Sequence, residues 1–223
     1  MPNFDAIIFD FDGVLIESEF EGNQLLAELL TDLGHQTSVE DAIKHFVGLS
    51  GPQFIAAIED RIGGPLPPQF HERRKEQSVR ALREGVRSVA GAVDFVQTLP
   101  PDLPKAVASS SSTRWLNGHL KHLGLADAFG GHVYSGPEHV TRGKPAPDLY
   151  LHAAERLGVA IERAVIIEDS EIGATGALAS GATVIGFAGG AHCFDGHVEM
   201  LRALGVHHIA ETFEEVGKLL GLD

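Results

Sequence analysis

The chain's 223 residues, 43% of them hydrophobic, suffice for one large domain or for a core domain with a smaller appendage. Its 17 Lys and Arg against 31 Asp and Glu leave a net charge of -14, which argues against a general binder of nucleic acid or of acidic membrane. No apolar stretch reaches the roughly 18–20 residues that span a bilayer, the start lacks the pattern of a secretory leader, and the lone Cys193 cannot form an internal disulfide, so a cytoplasmic setting is expected.

In chain order, the first element is an apolar strand, Asp5 to Phe9, which runs straight into Asp10-Phe11-Asp12-Gly13-Val14-Leu15. Residues two apart on an extended chain point the same way, so Asp10 and Asp12 are expected to face the space beyond the strand's carboxyl end. Gly13 lets the chain turn sharply there. From Ile16 to Val86 no strand is expected. Helical periodicity takes over, with Leu25, Leu26, Leu29, Leu30 and Leu33, then Phe54, Ile55, Ile58 and Ile62. Glycines and prolines at Gly34, Gly48, Gly51, Gly63-Gly64-Pro65 and Pro67-Pro68 cut this block into about four helices. Residues 17–86 thus read as a helical cap inserted after the first strand, and residues 1–16 with 87–223 as the core. Ligands of open α/β sheets bind beyond the strands' carboxyl ends, so the insertion is expected to act as a lid.

The remaining chain alternates. Strands are expected at Lys105 to Ala108, His132 to Tyr134, Ala164 to Ile167, Thr183 to Phe187 and His207 to Ile209; helices at Thr113 to Leu123, Asp148 to Leu157, Ile172 to Ala179, His197 to Leu204 and Phe213 to Leu220. That rhythm implies an α/β fold with a parallel sheet between helical layers.

Polar clusters fall where these strands end. Ser109-Ser110-Ser111-Ser112-Thr113 is a hydroxyl-rich turn leading into the helix that carries Trp115; it can cradle a phosphate or simply cap the helix. Lys144 lies in Gly143-Lys144-Pro145-Ala146-Pro147-Asp148, a loop stiffened by two prolines, where it either balances a transferring phosphoryl group or sits solvated at the surface. Glu168-Asp169-Ser170 sets two acids directly after a buried strand. With Asp10 and Asp12 they gather four negative charges, which a hard divalent cation such as Mg²⁺ would relieve. An acidic helix start is the plainer reading of the same pair. His192, His197, His207 and His208 lack the i, i+4 spacing of a helical zinc pair and read as surface or capping groups, and Cys193 as a half-buried small residue.

The four clusters together, in this order and each at a strand exit, resemble the haloacid dehalogenase superfamily of phosphohydrolases over nearly the whole chain. The resemblance implies a Rossmann-like core with a helical-bundle cap, and an aspartyl-phosphate mechanism. Asp10 would be the nucleophile and a metal ligand. Asp12 would be the general acid and base and would lend its carbonyl to the metal. Ser109, with Ser110 and nearby amides, would hold the phosphoryl oxygens; Lys144 would neutralise charge and orient Asp10; Asp169 and Glu168 would anchor Mg²⁺. Retention of an acid at Asp12 separates the chain from the dehalogenases, since a halide leaves without a proton.

The implied activity is hydrolysis of a small phosphorylated metabolite, a sugar phosphate or sugar-acid phosphate such as 6-phosphogluconate, by a monomer. A β-phosphoglucomutase-type mutase is the alternative. Against it, Gly22 stands where that branch is similar in requiring a histidine, and Gly48-Leu49-Ser50-Gly51-Pro52 lacks the expected arginine. A non-catalytic module would lack one of the expected groups, and none is missing. Ser18, Glu19, Asn23 and Lys75 of the cap are candidates for touching substrate, whereas the face carrying Arg73 and Arg80 reads as solvated.

Overall fold

The computed structural model describes residues 4–47, 49 and 51–222. The chain separates into two compact units, one running to Glu17 and resuming at Arg87, the other spanning Ser18–Val86.

The first unit holds six strands, β1 (Ala6–Phe9), β2 (Lys105–Ser109), β3 (Val133–Ser135), β4 (Ala164–Glu168), β5 (Thr183–Phe187) and β6 (His208–Ala210). They form one sheet in the order β3-β2-β1-β4-β5-β6, with every pairing parallel. β1, β2 and β4 are buried along their whole length, which is why they read as unbroken apolar runs rather than as alternating ones. The order reverses at β1, whose neighbours are β2 on one side and β4 on the other. A crevice opens at such a switch point, beyond the carboxyl ends of the strands. The register sets Phe9 opposite both Val107 and Ile167, so Asp10 emerges level with Glu168.

The helical unit contributes α1 (Ser18–Asp32), α2 (Val39–Phe46), α3 (Gly51–Ile62) and α4 (Pro68–Glu84). Leu26, Leu29 and Leu30 of α1, Ala42 and Phe46 of α2, Ile58 of α3 and Phe70 of α4 close into one apolar cluster. Ser38 caps α2, accepting from the Asp41 amide at 3.0 Å. This is the packing that the Leu25–Leu33 and Phe54–Ile62 periodicities imply.

The sheet unit adds α5 (Ala92–Thr98), α6 (Thr113–His122), α7 (Gly136–His139), α8 (Asp148–Leu157), α9 (Glu171–Ser180), α10 (His197–Ala203) and α11 (Phe213–Leu220). Tyr150, Leu149, Ala153 and Ala154 of α8 pack on Ile8, Ala106, Ala108 and Ile166 of the sheet. Below β1, the Phe9 ring meets Phe95 and Phe129 edge-on, at 6.3 and 5.9 Å between centroids. No helix among the described residues is long and apolar enough to cross a membrane.

Candidate active site

Asp10 leaves β1 with its amide donating to the Ile167 carbonyl at 2.9 Å, which carries the strand pairing one residue past the apolar run. The chain then folds back on itself. The Gly13 amide donates to the Ile16 carbonyl and the Leu15 amide to the Phe11 carbonyl, both at 2.8 Å. Gly13 has φ +86°, and a Cβ there would collide with the Asp169 carboxylate and press on the His192 ring. The turn therefore needs glycine twice over, for its backbone and for the approach of Asp169.

Lys144 is buried, with only 5% of its side chain exposed, and its ammonium joins Asp10 Oδ1 at 2.5 Å to Glu168 Oε1 at 2.6 Å. The surface reading of this lysine is thereby excluded. Its loop can come so close because α9 presents Gly176, where a Cβ would stand 3.1 Å from the Pro145 and Ala146 carbonyl oxygens. Tyr150 lies beneath. Its ring centroid is 5.0 Å from the ammonium, and its hydroxyl donates to Glu168 Oε1 at 2.9 Å. Glu168 Oε2 accepts from the Ser170 amide at 2.9 Å and the Ser170 hydroxyl at 3.1 Å. Both Glu168 oxygens are thus engaged by protein donors.

Asp169 is arranged differently. It is 1% exposed, its Oδ2 lies 2.7 Å from His192 Nε2, and its carbonyl accepts from His197 Nε2 at 2.8 Å. Its Oδ1 has no hydrogen-bond donor among the described residues. Oxygens of Asp10, Glu168 and Asp169 all lie within 4.8 Å of one another. A buried carboxylate oxygen without a donor, in a group of three acids, fits a hard cation with oxygen ligands.

Electrostatics follow from this crowding. Burial, reinforced by the neighbouring carboxylates, holds Asp10 and Asp169 well above the usual aspartate range. Burial pushes the same way on Glu168, but Lys144 and the hydrogen bonds prevail and leave it below its ordinary value. Lys144 is raised, because Asp10 and Glu168 outweigh the burial that opposes its charge.

Asp12 faces the hydroxyl turn. Its Oδ2 accepts from Ser111 Oγ at 2.6 Å and Ser109 Oγ at 3.2 Å, and its Oδ1 from Trp115 Nε1 at 3.0 Å. The helix cap proper is Ser112, whose hydroxyl accepts from the Trp115 amide, while Glu138 takes the Thr113 amide at 2.8 Å. Ser109 is buried and Ser110 is exposed at the lip of the turn.

Of the residues expected from the sequence, Asp10, Asp12, Ser109, Lys144, Glu168 and Asp169 converge on the exits of β1, β2 and β4. The cap candidates lie in the other unit. Ser18 and Glu19 open α1 half-buried, Asn23 is buried with its amide donating to the Glu19 carbonyl at 2.7 Å, and Lys75 is exposed on α4. Arg73 pairs with Asp32 at 2.7 Å, and Arg74 turns inward over the Phe54 ring. Gly48 and Ser50 of the loop weighed against the mutase pattern lie outside the described residues.

The reading of the late histidines needs correction. His192 and His197 are 1% and 6% exposed, because the loop after β5 folds back onto the exit of β4 and delivers both rings to Asp169. Gly190 permits the return, since a Cβ there would strike the His192 ring. Glu17 ties the loop down by accepting from the Ala191 amide at 2.9 Å. Burial pushes the neighbouring Cys193 thiol up to about 12, so it stays protonated and inert. Tyr150, Ser111, Trp115 and His192 were not among the expected site residues; the pair Gly189-Gly190 was the one local sign that a close approach follows.

Comparison with known proteins gives the family. The sequence model of the haloacid dehalogenase-like hydrolase family matches residues 4–181. The fructose-1-phosphate phosphatase of Escherichia coli is 30% identical over 181 residues, covering 80% of this chain and 93% of that protein. The phosphorylated carbohydrates phosphatase of Thermotoga maritima is 32% identical over 188 residues, covering 79% and 82%. A family hydrolase from Deinococcus radiodurans, solved with bound phosphate and sodium, superposes with a TM-score of 0.84 at 32% identity, covering 100% of this chain and 97% of its own. With its acid pair at the switch point and these relatives beside it, the chain belongs to the haloacid dehalogenase-like hydrolase family, as an enzyme of the phosphatase type.

Proposed function

We propose that the chain is a Mg²⁺-dependent hydrolase of small phosphomonoesters, acting on a sugar phosphate or sugar-acid phosphate through an aspartyl-phosphate intermediate. One observation carries the reading: Asp10, gripped by a buried lysine, stands beside a second acid set in a hydroxyl turn, at a sheet's switch point. The names of the relatives supply the substrate class. Attack by an Asp10 oxygen on phosphorus forms the acyl phosphate as the bond to the sugar oxygen breaks, and Asp12 gives that oxygen its proton. Water then attacks the same phosphorus and yields its proton to Asp12, which releases inorganic phosphate and restores both acids.

Lys144 holds Asp10 in line and offsets charge on the phosphoryl oxygens. Those oxygens fall to Ser109, Ser110 and the remaining amides of their loop, because the Ser111, Thr113 and Trp115 amides are already taken. Asp10, the Asp12 carbonyl and Asp169 would hold the Mg²⁺. Glu168 completes the acidic group while also steadying Lys144. When bound, the ion supplies positive charge to the phosphoryl group and the nucleophile. The helical unit enters the chain directly after the Asp10–Asp12 turn, and selection of the leaving group by Ser18, Glu19, Asn23 or Lys75 belongs to the same proposal, as does action as a monomer.

Asp10→Asn is expected to abolish phosphate release from p-nitrophenyl phosphate in Mg²⁺ buffer. Undiminished turnover would end the mechanism. A panel of phosphorylated metabolites including fructose 1-phosphate and 6-phosphogluconate, read by inorganic phosphate, then finds the substrate. Isomerised sugar phosphate without phosphate release would transfer the chain to the mutases.

A further inference from the structure

Trp115 has no part in the mechanism above, yet its indole N–H points at one of the two carboxylates that do the chemistry. It is the chain's single tryptophan. It stands half-buried in the first turn of α6, its amide held by the Ser112 hydroxyl at 3.3 Å and its ring braced edge-on against His119 at 4.1 Å between centroids. From there Nε1 donates to Asp12 Oδ1 at 3.0 Å, while Ser111 and Ser109 approach Oδ2.

The donors differ in kind. A serine hydroxyl rotates, and can give its proton to one partner while accepting from another; an indole N–H only donates, along a direction fixed by the ring. Ser109 and Ser111 can therefore turn toward a phosphoryl oxygen when one arrives. Trp115 cannot reverse. As long as its N–H faces Oδ1, that oxygen is an acceptor, and the proton passed to the leaving group or taken from water travels through Oδ2.

We propose that Trp115 is a positioning residue for the general acid and base: its fixed donor clamps Asp12 Oδ1, so that Oδ2 is the working oxygen and the carboxylate keeps one orientation through both half-reactions. The inference rests on the acid and base role given to Asp12 above. Losing a donor to a charged acceptor is commonly worth about tenfold or more in rate when the geometry matters.

The test is a double-mutant cycle on Trp115→Phe and Asp12→Asn. Phenylalanine keeps an aromatic ring against His119 and removes the N–H. With β-glycerol phosphate, whose alkoxide leaving group needs a proton, Trp115→Phe is expected to lower kcat about tenfold or more with KM within about threefold. With p-nitrophenyl phosphate, whose leaving group needs little help, the deficit is expected to be smaller. The double variant is expected to be no slower than Asp12→Asn alone. The Trp115 emission, unmixed with any other tryptophan, is expected to change in Asp12→Asn, where the acceptor is altered and the indole kept.

A Trp115→Phe enzyme within about twofold of wild type on β-glycerol phosphate, or losses that multiply in the double variant, would overturn the clamp while leaving the phosphatase reading intact. Emission unchanged by Asp12→Asn would overturn it as well, whether or not the phenylalanine variant folds. Full activity in Asp12→Asn would instead defeat the acid and base assignment itself.

Discussion

Lys144→Met isolates the electrostatic keystone of the site. The lysine is enclosed, its ammonium 2.5 Å from Asp10 and 2.6 Å from Glu168, and those two acids and Asp169 have side chains no more than 8% exposed. Methionine fills similar volume without charge, and the loss therefore measures three buried carboxylates left without their cation. Removing one partner of a buried ion pair costs about 3–5 kcal/mol. For a chain of this size each kcal/mol moves Tm by about 2–4 °C, so the metal-free variant should melt roughly 6–20 °C lower near pH 8.

The pH dependence has a defined sign. Glu168 is depressed below its ordinary 4.5, so its contribution exists above that value and is lost as pH falls through the folded-state pKa. Asp10 and Asp169 are raised above their ordinary 3.8; they favour the fold below that value and withdraw support as pH rises through their folded pKa. Without Lys144 all three move up, and the penalty shrinks in acid and reaches its full size in base. Urea melts in EDTA at pH 5 and pH 8 read the gap directly. A gap under about 1 kcal/mol at pH 8, or one equal at both pH values, would refute the reasoning. Adding Glu168→Gln to the variant should recover part of the loss, since it removes one of the stranded charges.

Mg²⁺ at about 100 times its Kd should stabilise the wild type by about 2.7 kcal/mol near pH 8, a Tm rise of roughly 5–10 °C in thermal melts. The rise should be much smaller at pH 5, because protons held by Asp10 and Asp169 must be displaced by the ion; equal shifts would contradict the assignment of the site. Gly173→Ala would drive a methyl into the Glu168 carboxyl group, which four hydrogen bonds hold in place, and should cost about 1–3 kcal/mol together with most of the activity. Gly22→Ala in α1, where an added Cβ meets nothing within 4 Å, should instead gain about 0.5–1 kcal/mol in urea melts.

The strands were legible because a buried parallel strand leaves an unbroken β-branched run bounded by polar residues. Thr183–Phe187 matches the expected range, and β2, β3, β4 and β6 each end one residue later than expected, at Ser109, Ser135, Glu168 and Ala210. For β2, β3 and β4 the shift has a physical basis in the sheet, where main-chain pairing continues past the last apolar residue into a polar one; Ser109 pairs with Ser135 and Glu168 with Gly186, whereas β6 ends on Ala210 opposite Phe187. The short helices α5 and α7, of seven and four residues, carry too few turns for a periodicity to show.

Within the site, the sequence indicated what the main chain aims but not what returns to meet it. Asp10, Ser109, Glu168 and Asp169 each leave a strand, and a strand's exit in a parallel sheet points at one common edge whatever the loops do. Tyr150 lies between Leu149 and Leu151 on a helix whose pattern reads simply as core, yet it is the ring under Lys144 and a donor to Glu168. His192 lies on a loop, and only the fold-back after β5 decides that its ring reaches Asp169 rather than solvent. Both cases share one cause. Their roles depend on side-chain direction across elements far apart in sequence, which neither 3.6-residue nor two-residue periodicity encodes. The same limit explains why Glu168 and Asp169, at the exit of β4, read as one acid pair in the sequence and differ in the structure. Glu168, facing α8 and α9, is filled with protein donors; Asp169, facing the returning loop, keeps the oxygen that a cation would take.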